Sequence, residues 1–180
     1  MRARDLREVL SIEHVVFPRP WSIDLFRAEL AAPDRSYLVA VRTTPGRRPT
    51  RMAGRRSSVI VGYGGIQTIV SEAHIVTLAA HPAWRRLGIG ARLVLELLGE
   101  SARRGAQAIT LEVRESNTTA RHLYERFGFV DEGARPGYYA DNQEAARILW
   151  LRDLGAPASR ATASQEAHRR GLTVPASLQP

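Results

Sequence analysis

Apolar residues recur at helical spacing at Leu6, Val9, Leu10 and Ile12 to Glu13, and the rhythm stops at Phe17-Pro18-Arg19-Pro20-Trp21. Ser22 then stands where an N-cap belongs, ahead of a second helix through Leu25, Phe26 and Leu30 that Pro33 closes. Tyr37 to Val41 reads as a strand. Strands resume from Ser58 to Gly64 and from Ile66 to Val70, with Gly64-Gly65 marking a bulge between them, and another runs from Ala73 to Ala80. Gly88 to Arg104 forms a strong amphipathic pattern: Leu93/Leu97 and Val94/Leu98 pair at i, i+4, and Gly105 offers a C-cap. Ala108 to Arg114 alternates as a strand. Ser116 or Asn117 caps a further helix through Leu123 and Phe127, Gly128 breaks it, Phe129-Val130 begins a short strand, and Ile148 to Leu151 makes the last one. This order predicts an α/β fold in which central strands joined through helices pair in parallel, with helices on both faces of one sheet.

Composition changes this picture at two places. From 42 to 56 the chain carries Arg42, Arg47, Arg48, Arg51, Arg55 and Arg56, two prolines, two glycines and no acid, which predicts a flexible loop inserted into a domain spanning 1–154. Beyond Leu154 the sequence turns to Ala, Ser, Pro and Arg, which predicts a poorly ordered tail over 155–180 with at most a short helix near Gln165 to Arg170. The 180 residues contain no cysteine, so disulfides, thiolate zinc sites and a cysteine nucleophile are excluded. Histidines stand at 14, 74, 81, 122 and 168 with no i, i+4 pair; they read as turn, strand or surface residues, and no metal site is expected. No apolar run reaches the roughly 18 residues of a membrane span, and the first residues lack the apolar stretch of a signal peptide, so the expectation is a cytoplasmic protein, monomer or weak dimer. The net charge of +8 comes entirely from arginine, since lysine is absent, and it raises nucleic acid as a partner.

Candidate chemistry sits in three places. Arg85-Arg86-Leu87-Gly88-Ile89-Gly90 lies between a strand and a helix, where free amides and the helix dipole favour a phosphate. A Walker loop needs a lysine that is absent, and Leu93 stands where a dinucleotide fingerprint requires its third glycine. The same glycines also serve a plain strand-to-helix turn. On the next strand Ile109, Leu111 and Val113 share one face, so Thr110, Glu112 and Arg114 point the other way; taken alone, Glu112 reads as a solvated carboxylate beside a solvated arginine. Tyr124 follows Asn117 by seven residues, about 10 Å along one helix face, and taken alone reads as a core aromatic. Trp21, Tyr138 and Tyr139 divide evenly between core and site. No G-x-S-x-G elbow exists.

The segment from His81 to Gly90, with its Arg-x-x-Gly-x-Gly, resembles the acetyl-CoA loop of the GNAT acetyltransferases. Leu111-Glu112-Val113-Arg114, Asn117, Ala120, Leu123-Tyr124 and Gly128-Phe129 are similar to the RimI branch, and Phe17, Pro20-Trp21 and Tyr138-Tyr139 agree, so the likeness spans residues 6 to 154. It implies a mixed, mostly antiparallel sheet with a parallel, splayed central strand pair. The implied activity is transfer from acetyl-CoA, without a metal, to the amino-terminal alanine of a ribosomal protein. A lysine side chain or small-molecule amine is the alternative acceptor, and an arginine-rich module for ribosomal RNA is the alternative of another class. The resemblance implies Glu112 as general base and Tyr124 as the group that protonates the thiolate. It places acetyl-CoA against Leu78, Ala79, Ala80, Arg85, Arg86, Leu87, Gly88, Ile89, Gly90, Asn117 and Tyr124. The acceptor then lies against Trp21, Glu112, Tyr138 and Tyr139. The family's first strand shrinks to Met1 to Ala3, which leaves the sheet edge open.

Overall fold

The structure, a computed structural model, describes residues 1–43 and 58–179. A six-stranded sheet runs in the order β1-β2-β3-β4-β6-β5, built from β1 (Arg35–Thr43), β2 (Ser58–Ile69), β3 (Glu72–Ala80), β4 (Ala108–Arg114), β5 (Val130–Tyr139) and β6 (Glu144–Leu151). Only β3 and β4 pair in parallel, joined through helix α3 (Ile89–Arg103), as the right-handed crossover of a strand, helix, strand unit requires. Helices α1 (Leu6–Val16) and α2 (Ile23–Ala31) cover one face; α3, α4 (Thr118–Arg126) and α5 (Pro157–Arg169) cover the other.

Each face therefore has its own core. Leu6, Val9, Ile12 and Phe26 pack with Tyr37, Ile60 and Tyr63 on the first, and the α3 residues Val94, Leu97 and Leu98 pack with Ile75, Ile109 and Leu111 on the second. Ser22 caps α2 by accepting the Leu25 amide, and Asn117 caps α4 by accepting the Ala120 amide.

The feature that positions the site is a bulge in the centre of the sheet. Gly65 pairs with Thr77 and Ile66 with Ile75, which leaves Val76 without an opposite residue. The extra residue reverses the alternation of β3: Ala73 and Ile75 join the α3 core, whereas Val76 and Ala79 join the α1 core. Glycine is required at 65 because a Cβ there would lie 2.2 Å from the Tyr37 ring. The parallel ladder ends at Ile75 and Leu111, immediately before the bulge, and β4 continues to Arg114 paired with β6 alone. Past that point β3 and β4 diverge.

Three expectations differ from the structure. The chain beyond Leu154 is not a poorly ordered tail. Pro157 opens α5, whose Ala163 and Ala167 are buried against the α3 core, and Leu178 at 1% exposure closes over the same core. Alanine is the strongest helix former and its small side chain permits close approach, so a segment poor in large apolar residues still docks. At the amino end, Ala3–Asp5 forms a 3₁₀ turn rather than a strand, the Met1 amino group donates to the Tyr37 carbonyl at 2.7 Å, and β1 is the sheet edge. Finally, β5 is ten residues long rather than a short strand. Arg42 and Thr43 belong to β1, with the Arg42 guanidinium 4.4 Å over the Trp84 ring; the rest of the arginine-rich stretch lies outside the described residues.

Truncating Leu178 to alanine is expected to destabilise the fold by about 2–4 kcal/mol, the range for emptying a buried leucine site. Urea unfolding measures it; a change below about 0.5 kcal/mol would mean that the segment is not docked in solution.

Candidate active site

The gap between β3 and β4 exposes backbone donors. The His81 amide donates to the Val61 carbonyl at 2.9 Å, and the antiparallel register from Gly62/Ala80 to Gly64/Leu78 continues from it. Alternate residues of such a ladder face the partner strand, so the Ala79 amide is bound to β2 while the amides of Leu78 and Ala80 face the gap. Of the three residues expected to hold acetyl-CoA here, two offer free N–H groups.

The turn after β3 leads into α3 through Pro82–Trp84, then Arg85 and Arg86, both exposed. Gly88 has φ +78 and forms the N-cap, with no atom within 4 Å of where a Cβ would stand. Its carbonyl accepts the Arg92 amide at 2.9 Å, so the amides of Ile89, Gly90 and Ala91 precede the helical ladder and have no partner within it. Unpartnered amides at the positive end of a 15-residue helix make an anion cradle.

On the α1 side of the gap lies a cleft of about 640 Å³ that brings together Trp21, Glu112, Tyr124, Tyr138 and Tyr139, with Leu78 on its wall. All the expected acid–base and acceptor residues therefore share one space. Leu87, Gly88 and Ile89 instead border a separate, apolar hollow of about 840 Å³ between β1 and α3, which contains none of the acid–base residues. Asn117 lies outside both, and its side-chain oxygen is engaged in capping α4.

Glu112 is not a solvated carboxylate facing Arg114. Its side chain is 10% exposed, Oε2 lies 2.5 Å from His74 Nε2, and Oε1 lies 3.1 Å from Arg135 Nη1. The hydrogen bond to His74 holds its carboxyl below the usual carboxylate range, against the upward push of burial, with the Arg135 charge assisting. Tyr124 is buried edge-on against Phe129, and desolvation drives its hydroxyl well above the ordinary phenol value, so it remains protonated. Burial also pushes Tyr139 up to about 12, against the pull of Arg114.

Arg114 turns away from Glu112 toward the β5–β6 hairpin. It donates to both carboxylate oxygens of Asp141 at 2.8 Å and to Glu144 at 3.0 Å, and its guanidinium stacks 3.9 Å over the Tyr139 ring. Glu144 also accepts the Ser116 amide at 2.8 Å. The hairpin that carries Tyr138 and Tyr139 is thereby fastened to the end of β4 and the start of α4. The opposite wall is held by Glu13, which is 2% exposed and accepts the Trp21 amide at 2.9 Å. Desolvation raises the Glu13 carboxyl.

From the sequence His74 reads as no more than a turn, strand or surface residue, and Arg135 and Glu13 have no place in the site. His74 reaches Glu112 only because β3 and β4 pair His74 with Thr110, a register invisible without the fold. Arg135 lies on a strand whose residues are mostly exposed, so no apolar alternation announced it.

Residues 6–129 match the model of the acetyltransferase (GNAT) family. The chain belongs to the GNAT family. It is 35% identical over 142 residues to the N-alpha-acetyltransferase RimI of Mycobacterium tuberculosis (strain ATCC 25618 / H37Rv), covering 77% of this chain and 78% of that protein. It is 28% identical over 153 residues to the [ribosomal protein bS18]-alanine N-acetyltransferase of Escherichia coli (strain K12), covering 84% of this chain and 93% of that protein. The crystal structure of the ribosomal-protein-S18-alanine N-acetyltransferase from Escherichia coli superposes with a TM-score of 0.69 at 26% identity, over 85% of this chain and 90% of that one. The splayed parallel pair and mixed sheet expected of the GNAT fold are present.

Hydrogen bonds from Ser116, joined by those from Arg114 and Asn142, hold the Glu144 carboxyl at about 2, below its ordinary value of about 4.3. A carboxyl depressed in the folded state adds stability above its unfolded value and loses it as pH falls through the folded one. Glu144→Gln should therefore melt below the parent at pH 7, with the two melting temperatures converging as pH drops from about 4.3 toward 2. A gap that stays constant by circular dichroism would contradict the clamp.

Proposed function

We propose that this chain transfers the acetyl group of acetyl-CoA to the amino-terminal alanine of a ribosomal protein. The observation that carries the reading is the confluence, in one cleft, of the Leu78 wall at the parted strands with Glu112, Tyr124 and the tyrosine hairpin. The names of the relatives support the choice of acceptor.

The residues present fit the cosubstrate. The α3 amides and the exposed Arg85 and Arg86 suit a pyrophosphate, and the open space beside Gly88 leaves the backbone approachable. The amides of Leu78 and Ala80 suit a chain of amide groups lying along β3 as an added strand, and one of them suits the thioester oxygen as negative charge develops there. When bound, acetyl-CoA supplies an acyl group activated as a thioester. An α-amine with a pKa of roughly 8 is mostly ammonium near neutrality and has no lone pair for attack until a proton is removed. Removal of that proton depends on Glu112, which stays anionic in the cleft. Tyr124 stays protonated and donates to the departing sulfur. Trp21, Tyr138 and Tyr139 bracket the acceptor. The six arginines between 42 and 56 extend the proposal to phosphate contacts with ribosomal RNA near the acceptor.

With an alanine-starting peptide and acetyl-CoA, the protein is expected to acetylate the α-amine and to leave an amine-blocked peptide untouched, as read by mass spectrometry. Glu112→Gln should lower kcat by about 100-fold or more with acetyl-CoA affinity unchanged. Equal acetylation of the blocked peptide at lysine would overturn the choice of acceptor.

A further inference from the structure

We propose that His74 takes the proton from the acceptor amine, and that Glu112 serves as the carboxylate that orients its imidazole. The inference rests on the acetyl-transfer reading above and names the proton acceptor within it.

Both oxygens of Glu112 are already engaged, Oε2 by His74 Nε2 at 2.5 Å and Oε1 by Arg135 at 3.1 Å. The hydrogen bond from His74 and the charge of Arg135 both lower the basicity of the carboxylate, which makes it a poorer acceptor for the amine proton. His74 is in the opposite condition. Its Nε2 is occupied by Glu112, its Nδ1 makes no hydrogen bond among the described residues, and its side chain is 35% exposed on the floor of the same cleft. When a carboxylate accepts Nε2–H, the neutral ring keeps its lone pair on Nδ1, the arrangement by which a carboxylate prepares a histidine to act as base.

The surrounding charges leave this pair to act alone. Across the cleft Arg114 and Asp141 satisfy each other, and Arg19 is directed to the Ala140 carbonyl. Glu13 accepts the Trp21 amide. Arg135 lies on Glu112, and Tyr124, Tyr138 and Tyr139 all keep their protons, their hydroxyls being raised by burial.

In the step, the amine nitrogen forms a bond to the thioester carbonyl carbon and the carbon–sulfur bond breaks. Starting from the ammonium, one proton passes to His74 Nδ1 and thence to solvent to free the lone pair, and the second leaves the nitrogen by the same route as the amide forms, so that one proton is released net once sulfur has taken the other from Tyr124. The Tyr124 hydroxyl proton passes to sulfur and is replaced from solvent. Atoms and charge balance without a further reagent.

Three variants test the assignment: His74→Gln, which retains a donor toward Glu112 but cannot be protonated, His74→Ala, and Glu112→Gln, with folding checked by melting temperature and acetyl-CoA binding by calorimetry. The pH profile of kcat, taken with saturating acetyl-CoA and alanine-starting peptide, should change shape in His74→Gln, leaving only the dependence set by the peptide amine's own ionisation, with a pKa of roughly 8. Both His74 variants should lose about 100-fold in kcat at pH 7 with the KM for acetyl-CoA unchanged. Added imidazole should restore His74→Ala in proportion to its unprotonated form. Glu112→Gln should keep the parent's profile shape at a lower kcat, because the imidazole remains but has lost the carboxylate that orients it. The proposal is overturned if the pH profile of His74→Gln keeps the parent's shape, or if His74→Ala keeps kcat within about threefold. Absence of any acetyl transfer by the parent protein would instead overturn the parent reading.

Discussion

Two parallel strands that separate halfway along their length govern everything else in this molecule. Parallel strands are normally buried within a sheet and paired on both sides, because each unpaired amide in a dry interior costs free energy. Here β3 loses its partner after Ile75, and the bulge at Val76 turns its remaining residues so that a different face meets each core. The result is a row of backbone donors that neither neighbouring strand satisfies. Such a row is unfavourable in isolation and is completed by a ligand, and the free amides at the start of α3 beside Gly88 offer a second anchor.

The walls around that opening are kept in place by ionic fastening more than by apolar packing. Arg114 joins β4 to the β5–β6 hairpin through Asp141, Glu144 and the Tyr139 ring, and Glu13 binds the Trp21 backbone from within α1. The hairpin that rims the cleft lies at the edge of the sheet, where no deep core supports it, so partly buried charge pairs with several hydrogen bonds take that part. The fastening holds the aromatic rims, and between them lie His74, 35% exposed, and Glu112, 10% exposed.

Much of this was legible in the chain before any coordinates. The i, i+4 leucines of α3, the Ser22 and Asn117 caps and the alternation from Ala108 to Arg114 are local signals, and each element lies where those signals put it. Gly88 was legible as a glycine of the turn into α3, while its left-handed φ of +78 is a finding of the structure. Three things were not local. Helix α5 docks through alanines, which carry no hydrophobic signature strong enough to separate a packed face from a loose tail. Strand β5 is an exposed edge, so polar residues occupy both of its faces. The contact between His74 and Glu112 joins residues 38 apart and depends on strand register, which no residue pattern along the chain encodes. Glu112 itself was singled out by family resemblance, and its neighbours became visible only in three dimensions.

The most direct test of the account is a titration of ¹⁵N-labelled protein with CoA, following backbone amide shifts residue by residue. The account predicts that the largest changes cluster at Leu78 and Ala80 on β3 and at Ile89 to Ala91 on α3. Changes confined to the hollow between β1 and α3, around Val39, Val41 and Leu93, with Leu78 and Ala80 unmoved, would contradict it.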